Sequence, residues 1–505
     1  VQSTLRYTEQ HPPTAILRDA RWLWLSALPV AVVSTALTFA ARPGINWLAS
    51  CVGAMTAWLL CAGAADAAGF RARIAEPPCV TALGLATLLA GSGAVTAEPL
   101  LNALAVLFTL LLAGFVVRLI TRADADRESP AALLLSPLTS ATQVAAEAAR
   151  RASEALLLLR AGPRTPVLRG GALALPVLAV LFLLLSASDP TLDAWRAAAL
   201  ELVKRFIAPA RLTYFALWLA AMLGATGLAL QPAERSERSD HARERDGTRP
   251  VLVALERLIV LGSIIVLFAL YFGLRLSEIF GNVGARTDSG VTFAEATHHG
   301  FVELTIAATL CAGVIIGLDR LAARGGHETR VRAFADIVIA QALLLLGSAY
   351  HRVALYEAAY GYTAERLGVQ IYCWIVGVGL VLLAIELHRG ISIARLLRRC
   401  ALAVIGTFLA ISYSNPTSWI VEQNIARHRA TGKIDAQYLA HLAGSGCDAV
   451  PELIRALPEL RVEEAAALHA ALVNTSRSLG DSERWYEWNL RRARARSALR
   501  SAGIE

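Results

Sequence analysis

Arg352, Tyr356 and Tyr360 fall four residues apart, so on a helix they share one face. With Arg366 they make a group suited to an anion. Two guanidinium forks can bracket a carboxylate or phosphate, and phenol rings can flank it. Glu303 lies inside an apolar stretch, where an ionised carboxylate is costly unless paired. It is therefore either a functional group or one half of a structural ion pair with Arg352 or Arg275. His298, His299, Glu303 and His351 are metal-ligand types, but adjacent histidines on a helix point about 100° apart and make poor joint ligands. No metal and no cofactor is expected. The set read as a binding site is Glu303, Arg352, Tyr356, Tyr360, Arg366, His299 and Asn424, with Asn415, Trp419 and Glu422 close to the last of these in sequence. No catalytic residue is assigned. The aromatic members have a plainer alternative, since Tyr and Trp form a belt wherever a helix meets the membrane surface.

The elements that would position these groups follow from hydropathy. The chain has 505 residues, is 56% hydrophobic and only 17% charged, with a mean hydropathy of +0.51. A soluble domain carries roughly 25% charged residues. The apolar residues gather in blocks long enough to cross a hydrocarbon core of roughly 30 Å as helices. Blocks near 23–40, 45–64, 80–96, 100–120, 171–187, 212–230, 251–273, 300–318, 333–349, 367–387 and 398–413 predict about eleven transmembrane helices. Backbone polar groups in lipid must bond internally, and the blocks lack the alternation of a barrel, so the expected fold is all-α: a polytopic transmembrane helix bundle with a small C-terminal α-helical domain. The expected organisation is a cytoplasmic segment (1–22), four helices (23–120), a cytoplasmic loop with an amphipathic helix (121–170), helices five to eleven (171–413) and the C-terminal helical domain (414–505). The first apolar block reads as a signal anchor.

Basic residues give the bundle a direction. Alternate loops carry 25 Arg and Lys on one side against 9 on the other. The positive-inside rule then puts the N-terminus in the cytoplasm, and eleven crossings put the tail outside. Both loops around Arg352 and Glu303, and the start of the tail, would meet at that outer interface. The last block is the weak member, with only 13 continuously apolar residues from Cys400 to Ser412. If it lies on the surface, the tail is cytoplasmic. Almost all the positive charge is arginine, Lys204 and Lys433 being the only lysines, as in a GC-rich bacterial genome. The net charge of +8 sits in short loops and is not a nucleic-acid signal. The seven cysteines show no CxxC or Cys/His metal spacing and read as small buried hydrophobes. Residues 138–160 form an amphipathic helix that either rests on the inner leaflet or packs on the bundle. Residues 232–250 read as a charged linker. Asp336 reads as part of a salt-bridged helix end.

Four segments resemble a bacterial multi-pass membrane family. GALALPVLAVLFLLLSASDPTL (171–192) resembles its "LLASADP" segment, and GFVELTIAATL (300–310) its "GFFEL" helix start. RVALYEAAYGYTAERL (352–367) is similar to a loop of the form R-x-x-LY-x-x-x-YGLT-x-x-R, with Tyr362 standing where Leu is usual. NIARHRATGKIDAQYLAHLAGSGCDAVPELIRAL (424–457) is similar to the family's tail. These are the domain-of-unknown-function families 4153 and 4173. The resemblance covers roughly 170–460, leaves the first four spans out, and implies topology but no reaction.

The sequence carries no GxxxxGK[ST], HExxH or GxSxG motif, and the central stretches of most spans hold no relay of ionisable groups. The leading expectation is an integral inner-membrane scaffold or sensor-like partner with an outer-face binding site, a non-enzymatic reading. Alternatives are a transporter or flippase-like protein for a lipid or small anion, and an enzyme acting on a lipid headgroup. The expected partners are the lipid bilayer and either another envelope protein or a lipid or anionic ligand, with no nucleic acid.

Overall fold

The computed structural model describes residues 13–64, 70–121, 136–161, 209–229, 252–280, 293–322, 328–480 and 484–504. The expected span at 171–187 and the linker at 232–250 lie outside these residues. The described chain is helical, with no strand. In order the helices are α1 (Pro13–Thr38), α2 (Ile45–Ala64), α3 (Phe70–Ile74), α4 (Pro77–Ser92), α5 (Pro99–Thr121), α6 (Ser136–Ala161), α7 (Pro209–Ala229), α8 (Ala254–Phe280), α9 (Phe293–Arg320), α10 (Glu328–Tyr360), α11 (Ala364–Arg389) and α12 (Ile393–Ser414). The tail adds α13 (Pro416–Thr431), α14 (Ala436–Ser445), α15 (Val450–Ala456), α16 (Val462–Leu479) and α17 (Leu490–Ser501).

Seven of the described helices are long and apolar enough to cross a membrane: α2, α5, α7, α8, α10, α11 and α12. The apolar parts of α1 (Ser26–Thr38) and α4 are shorter. Thus the membrane bundle stands, while the count of eleven is not reached among the described residues. The seven are apolar on their outer surfaces. Leu60, Leu110, Leu217 and Val266 are each more than 60% exposed. Such surfaces would be unstable in water and are what hydrocarbon solvates.

The bundle has two halves. In the first, α1, α2, α5 and α7 share a core of Leu23, Ala27, Trp58, Ile120 and Leu223. In the second, α8 to α11 share Leu261, Phe268, Cys311, Ala342, Leu345 and Leu383. α12 joins them: it packs on α11, and its Ile405 and Phe408 meet Leu89 of α4 and Ala105 of α5, with the Phe108 and Phe408 rings edge to face at 5.1 Å. α6 packs on the bundle. Its Val144 carbonyl lies against Gly224 of α7, where a Cβ would stand 2.1 Å from the oxygen, and its buried Glu147 lies beside Gly227 while binding Arg150 and Arg151.

Two ends of the bundle can be told apart. One holds the turn before α2, the segment 93–98 between α4 and α5, the turn 361–363 and the start of the tail. The other holds the charged helix ends: Arg257 with Glu328 at 3.0 Å, Asp336 with His388 at 3.1 Å, and fully buried Glu386 with Arg395 and Arg399. Arg399, in the first turns of α12, thus binds a carboxylate at this end. The expected loop 350–366 shrinks to the three residues 361–363, because α10 continues unbroken to Tyr360. The end of the tail forms a short 3-10 turn (Trp485–Glu487) and then α17, which Asn489 starts by accepting the backbone N–H groups of Arg491 and Arg492.

Candidate functional site

The sequence-derived site divides. Arg352, Tyr356 and Tyr360 lie on α10 at i, i+4 and i+8, and the rings of Tyr356 and Tyr360 stand 4.6 Å apart. The Arg366 guanidinium stacks on Tyr356 at 4.4 Å and donates to the Gly361 carbonyl. These two contacts hold the α10–α11 turn closed, so Arg366 is engaged within the protein. Asn424 has the same role from the tail. It donates to the Tyr362 carbonyl at 2.8 Å and accepts the Tyr362 N–H at 2.9 Å, so both backbone groups of the turn are satisfied by one amide. Gly361 has φ +94° and a Cβ there would lie 2.7 Å from the Asn424 oxygen, so this contact requires glycine. Arg427 adds a hydrogen bond to the Ala358 carbonyl at 2.9 Å. Arg352 is half-buried with no ion pair among the described residues. Glu303 and His299 lie on α9, but their side chains fall outside what the structure describes.

Sequence reasoning missed the joint between the tail and the first half of the bundle. The tail has its own core of Ile420, Leu439, Leu442, Leu453, Leu468, Leu472 and Leu499. It docks through backbone groups. The Asp448 carboxylate accepts the Thr96 hydroxyl at 2.7 Å and the Ala97 N–H at 2.9 Å. Asn489 donates to the carbonyls of Gly93 and Thr96, and the Leu490 N–H to the Ala94 carbonyl at 2.8 Å. Trp488 accepts the N–H of Ile45, the first residue of α2, at 3.0 Å. Gly44 lies against the Glu487 carbonyl at a distance no side chain would fit. Asp448 is buried, and burial raises its pKa above the ordinary carboxylate value despite these two hydrogen bonds and nearby Arg491 and Arg492. Burial, then the Asp448 charge, raises neighbouring Glu98 too.

Beside this joint the tail forms an open cavity of about 330 Å³. Ser414 and Asn415 close one side, where α12 gives way to α13. Asn415 makes that junction by adopting a left-handed backbone (φ +60°), accepting the Ser418 N–H and donating to the Asp448 carbonyl. Ser418, Trp419 and Glu422 line it from α13, Asp448, Pro451 and Glu452 from α15 and the residues before it, and Arg491 and Arg494 from α17. Arg491 is 8% exposed; one of its amino groups reaches the Tyr413 carbonyl at 3.3 Å, while its buried Nε has no hydrogen-bond partner. Burial pulls its pKa below the ordinary arginine value, opposed by Asp448. One Glu452 oxygen binds Arg455 and the other is buried without a partner. Glu422 and Arg494 are exposed, with no hydrogen bond or ion pair among the described residues. Trp419 connects the two regions: it lines the cavity and packs edge to face on Tyr362 at 5.4 Å.

A helical membrane bundle capped at one end by a helical tail is thus the class of protein these observations define. Residues 79–456 match the family described as a domain of unknown function, DUF4153, and the chain belongs to that family. The match begins at α4, so it includes the third and fourth expected spans that the quoted segments left out, and it ends with α15. Arg491 and Arg494 lie beyond it. No curated protein and no solved structure matches the chain.

Proposed function

We propose that this is a non-catalytic scaffold or sensor-like protein of the bacterial inner membrane, whose extracytoplasmic tail and bundle together form a binding site for a small polar ligand. The observation that carries the reading is the cavity beside the tail–bundle joint, lined by Arg491 and Arg494 on one face of α17 and by Ser418 at the start of α13. Guanidinium groups and a helix N-terminus both favour an anion. Because the walls come from three tail helices and from the junction with α12, occupancy is coupled to how firmly the tail is seated. That coupling is the physical basis for a sensor. The excess of basic residues in one set of loops supports a cytoplasmic N-terminus and an external tail. Arg352 on α10, half-buried, remains a second candidate contact for a lipid or an envelope protein.

Val462 is 87% exposed on α16, and the native cysteines of the tail and bundle are buried or half-buried. A Val462→Cys variant in whole cells should react with a membrane-impermeant maleimide before permeabilisation. Reaction only after permeabilisation would overturn the external tail. The purified full chain should carry a bound small molecule or lipid by native mass spectrometry, depleted in Arg494→Gln. An equal load in both proteins would overturn the cavity as the site.

A further inference from the structure

We infer that the turn at 484–488 is a membrane anchor of the tail: its Trp485 and Trp488 rings lie in the headgroup layer of the bilayer around α2. The occupant of this face is lipid. Lipid would meet it whichever side of the membrane the tail occupies, and whether or not the cavity holds a ligand.

The turn reads Arg-Trp-Tyr-Glu-Trp. Its one charged side chain to be buried, Glu487, points into the protein. That carboxylate accepts the backbone N–H groups of Arg42 and Arg484, each at 3.4 Å. Buried Arg492 donates to the Pro43 carbonyl at 2.7 Å and to the Glu487 carbonyl. The Trp488 carbonyl accepts the Ile45 N–H at 3.0 Å, and Arg42 donates to the Ser478 carbonyl at 3.0 Å. The turn is thus pinned to residues 42–45, and the apolar span of α2 begins at Ile45. Rings carried on such a turn are held at one depth relative to that span.

The aromatic side chains of the turn face outward. Trp485 is 78% exposed and Trp488 42%. Trp485 packs edge to face on Tyr486 at 5.6 Å, and Arg484 donates to the Tyr486 hydroxyl at 2.8 Å. Among the described residues after Ser414, the exposed large apolar side chains are these two, Trp419 and Val462. All three tryptophans in that set lie where the tail meets a spanning helix, since Trp419 follows the end of α12 by five residues. Water would leave this ring surface uncovered. The headgroup layer covers the ring and still offers the indole N–H an acceptor. Exposed Arg42 and Arg484 flank the rings, as guanidinium groups do at the depth of lipid phosphates. Lipid is already required at this level, because α2 itself is apolar outward, with Val52 and Leu60 exposed further along it.

The test uses the full chain in nanodiscs, with its 10 tryptophans replaced by fluorotryptophan and read by fluorine NMR. Trp485→Phe, Trp488→Phe and Trp374→Phe each remove one resonance and so assign it. Trp374, 63% exposed on the spanning helix α11, supplies the response of a lipid-facing ring. The sample is titrated with phosphatidylcholine spin-labelled near the head of its acyl chain, and separately with a water-soluble gadolinium chelate. The lipid label should broaden Trp485 and Trp488 by at least about half as much as Trp374, as expected of rings at the headgroup–acyl boundary, and by more than the chelate does. Broadening by the chelate alone overturns the anchor and leaves the turn in water. Broadening by neither probe means that protein, such as a second copy of the chain, covers the rings, and overturns it as well.

Discussion

Replacing Asp448 with alanine tests how the tail is held. The carboxylate accepts two donors, the Thr96 hydroxyl at 2.7 Å and the Ala97 N–H at 2.9 Å, and both Asp448 and Thr96 are almost fully buried. Each buried donor left without an acceptor costs about 1–3 kcal/mol, so the pair amounts to about 2–6 kcal/mol. The substitution also removes a carboxylate that burial disfavours, as its raised pKa shows, which leaves a net loss of about 2–4 kcal/mol in docking. At about 1.4 kcal/mol per tenfold, the tail should open roughly 30- to 700-fold more often. The adjacent Cys447 reports opening. It is buried, and its thiol is pushed up to about 12, mainly by burial, so in the docked state it offers almost no thiolate to a maleimide. Alkylation of Cys447, followed by peptide mass spectrometry to separate it from the other six cysteines, should accelerate by that factor. Asp448→Asn should change it far less, since an amide oxygen still accepts from Ala97. Asn489→Ala, which frees the Gly93 and Thr96 carbonyls from a site remote from Cys447 in sequence, should accelerate it comparably. If Asp448→Ala and Asn489→Ala leave the rate unchanged, the tail is not held through these contacts.

The same probe has a pH dependence. Asp448 and Glu98 both have raised pKa values when docked, chiefly from burial, so proton uptake favours docking. Their contribution is fully present below the ordinary carboxylate values and is lost as pH rises through the raised ones; opening, corrected for thiolate fraction, should slow from about pH 7 to about pH 5. Gly224→Ala places a methyl 2.1 Å from the Val144 carbonyl and should lift α6 from α7, at about 1–3 kcal/mol, seen as a lower melting temperature in detergent. Glu386→Gln leaves Arg395 and Arg399 without their shared buried carboxylate; with both arginines about a third exposed, we expect a loss of about 2–3 kcal/mol and a reduced protein level in membranes.

Much of this fold is written in block length. Apolar runs near 45–64, 100–120, 212–230, 333–349, 367–387 and 398–413 each fall on a helix long enough to cross, because hydropathy over such a length is a local property. Pro451 likewise marks the first turn of α15. What the sequence hides is which polar side chains face ligand and which face backbone. Asn424 and Arg366 have the look of ligand groups, yet both close the turn at Gly361, a role visible only once α13 lies against it. Conversely, LRRARARSALR reads as a solvated basic helix. Arg491 is buried only because Asn489 and Leu490 tie the start of α17 to 93–96, residues nearly four hundred positions away. No local signal carries that contact.

The tail's docking also changes what the weakest span means. Its 13 continuously apolar residues span about 20 Å, short of a hydrocarbon core of roughly 30 Å, but α12 as a whole has 22 residues and about 33 Å. Its ends are fixed by protein contacts: Arg395 and Arg399 on Glu386 at one, Tyr413 donating to the Leu88 carbonyl at the other. A tail left on the opposite side by a failed crossing could not hold Gly93, Ala94, Thr96 and Tyr362 through its backbone and side-chain amides. The turn before α2, the segment 93–98, the turn 361–363 and the tail must therefore share one side of the membrane. The maleimide result at Val462→Cys assigns all four together. An internal tail would invert the entire 25-to-9 charge asymmetry and not merely remove one helix from the count. The side of the tail thus rests on the charge of every loop in the chain, where the sequence alone made it rest on thirteen residues.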